Sequence, residues 1–366
     1  MCSCEWSKAI KKFRLNKNGE GMQSTKSSVG IIANPLSGRD VRRLVTKASV
    51  FQNAEKSNMV LRMLGVLGKM GVDEVFMLPD VSGIASRVIH SLRHVRAAEA
   101  SSLPRVTFLE MPIRDSAADS LKATELMKER GVSVIIVMGG DGTHRVVASA
   151  SGDTPLLTLS TGTNNVFPEI REATITGLAA GLIASEKVRV KDVASRNKVV
   201  RCEVNGVRKD LALVDLAVST ECWIGARALW EATCLRELFV SFAEPDAIGL
   251  SSIAALVHPV HRSDAYGLRL VVAPPGEGFM TVHAPIAPGV LVPVSVAEIS
   301  EIRPKEIFRV ETPRGTIALD GEREIEFSDK DSVKVWLEMD GPLTVDVNKV
   351  MQKAAKNKVL VQQREG

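Results

Sequence analysis

Apolar residues fall into two rhythms along this chain. In the first half, short apolar runs alternate with stretches of helical period. Val29–Ala33, Glu74–Leu78, Val106–Leu109, Val132–Met138 and Leu156–Leu159 read as strands. Between them, Glu55–Met70 places Met59, Met63, Leu64 and Leu67 on one helical face, with Gly71 as its stop. Gly83–Arg96, Ser116–Arg130, Thr143–Ala150 and Glu169–Glu186 read as further helices, and Asp40 opens another reaching about Ala48. Val132–Met138 is apolar except for Ser133, which predicts a strand buried on both faces. Strands alternating with helices predict a parallel, doubly wound sheet.

After about residue 190 the rhythm changes. Val199–Val204, Leu211–Val218, Leu268–Val272, Met280–His283, Ile307–Val310, Thr316–Leu319 and Val333–Leu337 are β-like, and Pro274-Pro275-Gly276, Pro288-Gly289 and Pro313-Arg314-Gly315 punctuate them. One helical insertion is expected near Ala226–Phe239. The organisation expected is a basic, disordered extension over 1–27, an α/β nucleotide-binding domain over 28–190 and a β-rich substrate domain over 191–345. A C-terminal helix or tail over 346–366 is expected to return to the first domain.

Bulk properties narrow the class. The chain has 366 residues, 45% hydrophobic and 25% charged, the balance of a two-domain globular protein. A net charge of +4 gives no general attraction to nucleic acid. Residues 1–27 carry six Lys/Arg against two Glu, and Lys349, Lys353, Lys356, Lys358 and Arg364 cluster at the other end. Both clusters read as solvated ends. The five cysteines include a lone C-x-C at Cys2 and Cys4, and no Cys/His spacing suits zinc. Reduced thiols, no signal peptide and no long apolar run predict a cytoplasmic protein without stable membrane association.

The chemistry concentrates at three strand ends. Gly139-Gly140-Asp141-Gly142-Thr143 follows a buried strand and opens a helix. Glycines there let backbone approach a ligand, and a helix start offers unpaired N–H groups and a positive dipole end to phosphate. Thr143 can cap the helix. Asp141 could hold Mg²⁺ or take a proton from an attacking hydroxyl. By chance this pentapeptide arises in roughly one chain of this length in a few thousand. Asn34-Pro35-Leu36-Ser37-Gly38 and Ser160-Thr161-Gly162-Thr163-Asn164-Asn165-Val166-Phe167 also follow strands. Taken singly each is an ordinary polar turn, but together they outline a nucleotide-sized crevice. His144 would line its edge or lie on a helix surface. The remaining histidines form no ligand set. There is no G-x-x-x-x-G-K-[ST] loop.

The order N-P-x-S-G, G-G-D-G-T and T-G-T-N-N-x-F resembles the NAD kinase/diacylglycerol kinase superfamily. The wording of Gly30–Pro35, with Gly177–Leu182 later, is similar in particular to the NAD kinase-like proteins of acetoin catabolism, the protein X type. The resemblance implies an α/β domain joined to a β-sandwich domain, a homo-oligomer, ATP as phosphoryl donor, Mg²⁺, and transfer to a hydroxyl. It places Asn34, Ser37, Gly38, Gly139, Gly140, Gly142, Thr143, Thr161, Gly162, Thr163, Asn164 and Asn165 on the nucleotide. Asp320-Gly321-Glu322 resembles the D-G-E turn of the lipid kinases, so Asp320 and Glu322 join Asp141 as catalytic candidates. A plain D-G hairpin turn remains the alternative.

Two departures bear on the acceptor. The Asn-Glu pair of typical NAD kinases is matched by Val214-Asp215, which keeps the acid and loses the amide. Their T-G-S-T-A-Y segment is replaced by Ser219-Thr220-Glu221-Cys222-Trp223-Ile224-Gly225-Ala226-Arg227. Asp215 and Glu221 are the candidate substrate-binding residues. Three readings stay open: phosphorylation of the NAD 2′-hydroxyl, phosphorylation of another small-molecule or lipid hydroxyl, and nucleotide sensing without turnover.

Overall fold

Five parallel strands make the heart of the first sheet: β1 (Ser28–Ala33), β2 (Glu74–Met77), β3 (Arg105–Phe108), β4 (Val134–Gly139) and β5 (Leu156–Ser160). The computed structural model describes residues 27–38, 51–96, 100–162, 165–221 and 232–362. Helices α1 (Asn53–Lys69), α2 (Ile84–Arg93), α3 (Ala117–Glu129), α4 (Asp141–Ser151) and α5 (Ala173–Ala184) connect or follow these strands. The helix expected over Asp40–Ala48 lies outside the described residues.

Strand order is β3-β2-β1-β4-β5, so the winding reverses between β1 and β4. β4 is buried along its whole length, as its apolar run requires. On one face Met59, Met63, Leu64 and Leu67 of α1 pack with Val29, Ile31, Ile136 and Met138. On the other, Ala123 and Met127 of α3 and Val147 of α4 cover Ile32, Ile135 and Val137. Helices on both faces leave only the strand ends open, and ligands bind at the carboxyl end of such a reversal.

The β-rich half supplies β6 (Ala194–Arg196), β7 (Val199–Val204), β8 (Val207–Ala212), β9 (Asp215–Ser219), β10 (Leu235–Val240), β11 (Gly267–Val272), β12 (Met280–Ala287), β13 (Val290–Ile302), β14 (Ile307–Arg309), β15 (Gly315–Leu319), β16 (Glu322–Phe327), β17 (Val333–Glu338) and β18 (Leu343–Val345). Two short helices, α6 (Ser251–Ala255) and α7 (Val347–Lys356), complete the described elements. A seven-stranded sheet, β12-β13-β11-β10-β9-β15-β16, faces a four-stranded one, β14-β17-β7-β8. Val200, Cys202, Leu216, Val218, Phe239, Ile317, Val335 and Leu337 fill the space between them. This is a β-sandwich joined to an α/β domain.

β18 pairs in parallel with β5, and β6 pairs with β18, so the chain re-enters the first sheet after the sandwich. α7 then buries Val347, Val350 and Ala354 in the α/β core. Its lysines face outward, and Lys353 reaches Asp192 at 2.6 Å.

Three expectations are corrected. Leu235–Phe239, expected within a helix, belongs to β10, a central strand whose mixed Leu-Arg-Glu-Leu-Phe sequence lacks the alternation that marks a strand. Leu211–Val218 is not one strand: β8 ends at Ala212, the chain turns, and β9 begins at Asp215. His144 lies neither on a helix surface nor at an exposed site edge, because it is fully buried. β13 and β16 were not anticipated. In β13, Pro293 and the acids Glu298 and Glu301 interrupt the apolar pattern of a long hairpin strand.

Candidate active site

The three polar loops meet at the reversal of the first sheet. Asn34 N donates to Met138 O at 3.0 Å, tying the end of β1 to β4. The Asn34 side chain works in two directions. Its Oδ1 accepts from Leu36 N at 2.8 Å, closing an Asx turn, and its Nδ2 donates to Thr143 Oγ1 at 2.8 Å. Ser37 Oγ shares a 2.9 Å hydrogen bond with Thr161 Oγ1. Gly38 closes this turn with φ 81°.

Beneath the turn lies Lys56, fully buried on α1. Its ammonium donates to Asn34 O at 2.9 Å, Ser37 O at 2.8 Å and Ser37 Oγ at 2.8 Å. Three acceptors on one turn fix its shape and place positive charge under the loop. Sequence reasoning missed Lys56, since a lysine at helical spacing looks solvated.

Glycine is required where the loops touch. A Cβ on Gly139 would fall 2.4 Å from Thr143 Cβ. A Cβ on Gly162 would lie 2.8 Å from Gly140 Cα and 2.5 Å from Asn165 Oδ1. The second and third loops are therefore in backbone contact, and Thr161 N donates to Gly139 O at 3.0 Å. Asn165 Nδ2 donates back to Ser160 Oγ at 2.5 Å. Thr163 and Asn164 lie outside the described residues.

Asp141 opens α4 and is buried. Its carboxylate accepts from Phe167 N at 2.9 Å and from Val166 N at 3.1 and 3.2 Å. It thus clamps the outgoing end of the third loop. The first N–H groups of α4 have no acceptor within the helix, which leaves them suited to phosphate.

The β-sandwich closes the site from above. Asp320 and Gly321 form the two-residue turn between β15 and β16, with φ 51° and 78°, the geometry of a type I′ hairpin. The hairpin geometry is present, but Asp320 is buried, not an exposed turn acid. The Asp320 carboxylate accepts from Val214 N at 2.8 Å, Leu213 N at 3.1 Å and Asp215 N at 3.3 Å. It holds the corner between β8 and β9, and through it the start of β9 where Asp215 stands. Burial pushes the Asp320 carboxyl well above the usual carboxylate range, Arg145 opposes this, and Asp141 and Asp215 add to it. Glu322 follows the turn, and its carboxylate lies 3.4–3.5 Å from where a Cβ of Gly142 would stand. The D-G-E turn therefore sits directly on the G-G-D-G-T loop.

Two arginines that sequence reasoning passed over lock the domains together. Arg145 on α4 is buried, donates to Glu324 Oε1 at 2.9 Å, pairs with Asp210, and holds its Nε 3.9 Å from Asp320. Arg262, from the sandwich, donates to the carbonyls of Val166 and Phe167 at 2.7 and 3.0 Å. Only a spatial view brings these partners together, because each lies tens of residues away in the chain. The structure does not bring Glu221 to the Asp320 turn: it follows the end of β9 remote from Asp215, beside Ser219, whose Oγ accepts from its N–H at 3.1 Å.

Comparison with known proteins agrees with this layout. Residues 29–187 match the ATP-NAD kinase N-terminal domain, and residues 198–340 match the acetoin catabolism protein X C-terminal domain. A protein of Cupriavidus necator described as acetoin catabolism protein X is 44% identical over 336 residues, which span 91% of this chain and 93% of that one. The chain belongs to the acetoin catabolism protein X family. A solved structure described as yeast NADH kinase complexed with NADH aligns over 94% of this chain and 90% of its own, at 12% identity and a TM-score of 0.49. Within the family, the α/β half carries the NAD kinase signature and the sandwich carries the part specific to protein X. No helix among the described residues is long and apolar enough to cross a membrane.

Proposed function

We propose that the protein is a cytoplasmic kinase that transfers the γ-phosphoryl group of ATP to a hydroxyl, the acceptor being the adenosine-ribose 2′-hydroxyl of NAD. The observation that carries this is the seating of the Asp320–Glu322 turn on the Gly139–Thr143 loop, which brings a carboxylate to a helix start built for phosphate. The acceptor oxygen bonds to the γ-phosphorus as the bond to the bridging oxygen breaks, and ADP leaves. The hydroxyl proton passes to a carboxylate at the mouth. Asp141 already accepts two backbone amides and Asp320 three, so both carboxylates are committed to holding backbone. Glu322 is the better proton acceptor, while Asp141 and Asp320 position the loops around it.

Among the described residues no cluster of three or more His, Cys, Asp or Glu could hold a metal by itself. Mg²⁺ would arrive on the nucleotide phosphates, since at such sites it keeps several waters and takes few protein carboxylates. Its contribution there would be to neutralise phosphate charge.

One observation favours another acceptor. Val214 occupies the place of the amide of typical NAD kinases, and it is buried with Phe167, Leu213 and Phe242. Without the amide, this place offers a nucleotide edge no polar side chain, which favours a smaller or more apolar alcohol. The test is turnover of Mg-ATP by purified protein with NAD, NADH, diacylglycerol and sphingoid bases offered in turn. NADP formation supports the first reading. Phosphorylation of another alcohol supports the second. ATP binding without any product overturns both in favour of a nucleotide sensor.

A further inference from the structure

Arg262 stands in the loop between α6 and β11, far in sequence from the three strand-end motifs. The loop is built to present it. Lys198, at the junction of the two domains and almost fully buried, donates to His261 O at 3.0 Å and Tyr266 O at 2.7 Å, holding the loop by both shoulders. Asp264 Oδ2 accepts from His261 N at 2.7 Å, and Val260 pairs with Ala243. Between these anchors the Arg262 guanidinium lies 4.2 Å from the Phe242 ring centroid and 5.4 Å from that of Phe167. Glu244 Oε1 accepts from its Nε at 3.1 Å, which fixes the plane of the fork.

The two outer nitrogens then donate to Val166 O and Phe167 O. These are the residues whose N–H groups Asp141 holds. The peptide leaving the third nucleotide loop is thus gripped by its amides from the α/β domain and by its carbonyls from the sandwich. A planar fork reaching two successive carbonyls suits arginine, since lysine carries one compact charge.

We propose that Arg262 is a positioning residue, through which the sandwich domain sets the place of the Val166–Phe167 peptide beside the Asp141 helix start for phosphoryl transfer. This rests on the kinase reading and deepens it. Acceptor and donor would lie on different domains, and Arg262 joins the acceptor domain to a donor loop without touching either substrate. A loop released from one of its two grips still binds nucleotide through the first and second loops, but holds it in the productive position less often.

The test compares the full-length protein with Arg262→Met and Arg262→Lys. In Arg262→Met, kcat is expected to fall about 10²-fold, the cost of a misplacement near 1 Å, with a much smaller change in the KM for Mg-ATP. Arg262→Lys should recover part of the loss. A purely structural residue would lower the melting temperature and leave kcat per folded molecule unchanged, and that result would overturn the proposal. Hydrogen exchange at the Val166 and Phe167 amides gives a readout independent of turnover. Faster exchange confined to this peptide in Arg262→Met is expected, and unchanged exchange overturns the proposal. Should the wild-type protein show no turnover with any acceptor, the kinase reading falls, and the exchange data alone decide whether Arg262 fixes the loop.

Discussion

Arg145 and Glu324 meet at 2.9 Å across the boundary between the α/β domain and the sandwich. The arginine sits one turn into the helix that opens at Asp141, and Asp210 and Asp320 flank the same guanidinium. The cation is buried and its ordinary high pKa is raised further by these acids against the opposing effect of burial. Replacing it by methionine leaves acids facing one another in a dry interface. Arg145→Met should destabilise the protein by about 3 kcal/mol, the lower end for breaking a buried ion network because Asp210 is partly solvated. Denaturant unfolding of variant and wild type measures this. A loss below experimental error would show that the interface does not depend on the arginine.

Asp141 and Glu322 should separate by phenotype. Asp141→Asn puts an amide group against two backbone N–H donors, so the third loop loosens and turnover falls. Glu322→Gln keeps the loop intact and removes the proton acceptor, so kcat should fall by about 10²–10⁴. Mg-ATP should still raise the melting temperature of Glu322→Gln, since ligand that binds only the folded state stabilises it. A Gln variant with a near-normal rate would take Glu322 out of the proton path.

His144 makes stability depend on pH. Its Nδ1 bonds to Gly140 O at 2.8 Å and its Nε2 is buried without a hydrogen-bond partner. Burial lowers its pKa from 6.5 to about 4, against the pull of the Gly140 and Val137 carbonyls. The unfolded chain therefore binds the proton first. Stability from this group is complete above pH 6.5 and is lost as pH falls toward 4, by roughly 3 kcal/mol over the window. Asp320, with its raised pKa, acts in the opposite sense, so the comparison must be with a variant. His144→Leu should flatten the melting temperature between pH 4 and 6.5. An identical slope in the variant would show that the histidine is not the responsible group.

Asp215 tests the acceptor. It begins β9, buried, just beyond the corner that Asp320 holds. If it receives the acceptor's hydroxyls, Asp215→Ala raises the KM for NAD more than that for ATP. If it is a structural acid, both affinities and the melting temperature fall together. An unchanged NAD KM in a stable variant removes it from the site.

The sequence made the first sheet and its three loops legible because each rests on local chemistry. Gly139 and Gly140 announce a backbone with no room for side chains, and Val132–Met138 announces a strand covered on both faces. The site's fasteners were not legible. Lys56, Arg145 and Arg262 look like ordinary surface charges until the fold puts backbone carbonyls or acids around them. The departures in the sandwich have the same origin. Leu235–Phe239 sets Arg236 and Glu237 among its apolar residues because Glu237 is buried against Arg269 in a central strand, and so short a stretch carries no clean period to distinguish strand from helix. Asp320 was legible both as a turn residue and as a candidate acid, yet nothing nearby in sequence showed that its carboxylate would hold the corner at residues 213–215.

The return of β18 to the first sheet sets the order of assembly during synthesis. β5 emerges from the ribosome long before its neighbour β18, and β6 has no sheet partner until β18 arrives. The α/β half therefore stays incomplete while the whole sandwich is translated, although domains encoded in series ordinarily fold in the order they emerge. Its last strand and helix are late, long-range contacts, the kind that slow folding. Premature termination anywhere in the sandwich would deprive the α/β half of β18 and α7, so a truncated product should be cleared as unfolded chain and would not persist as a lone α/β domain.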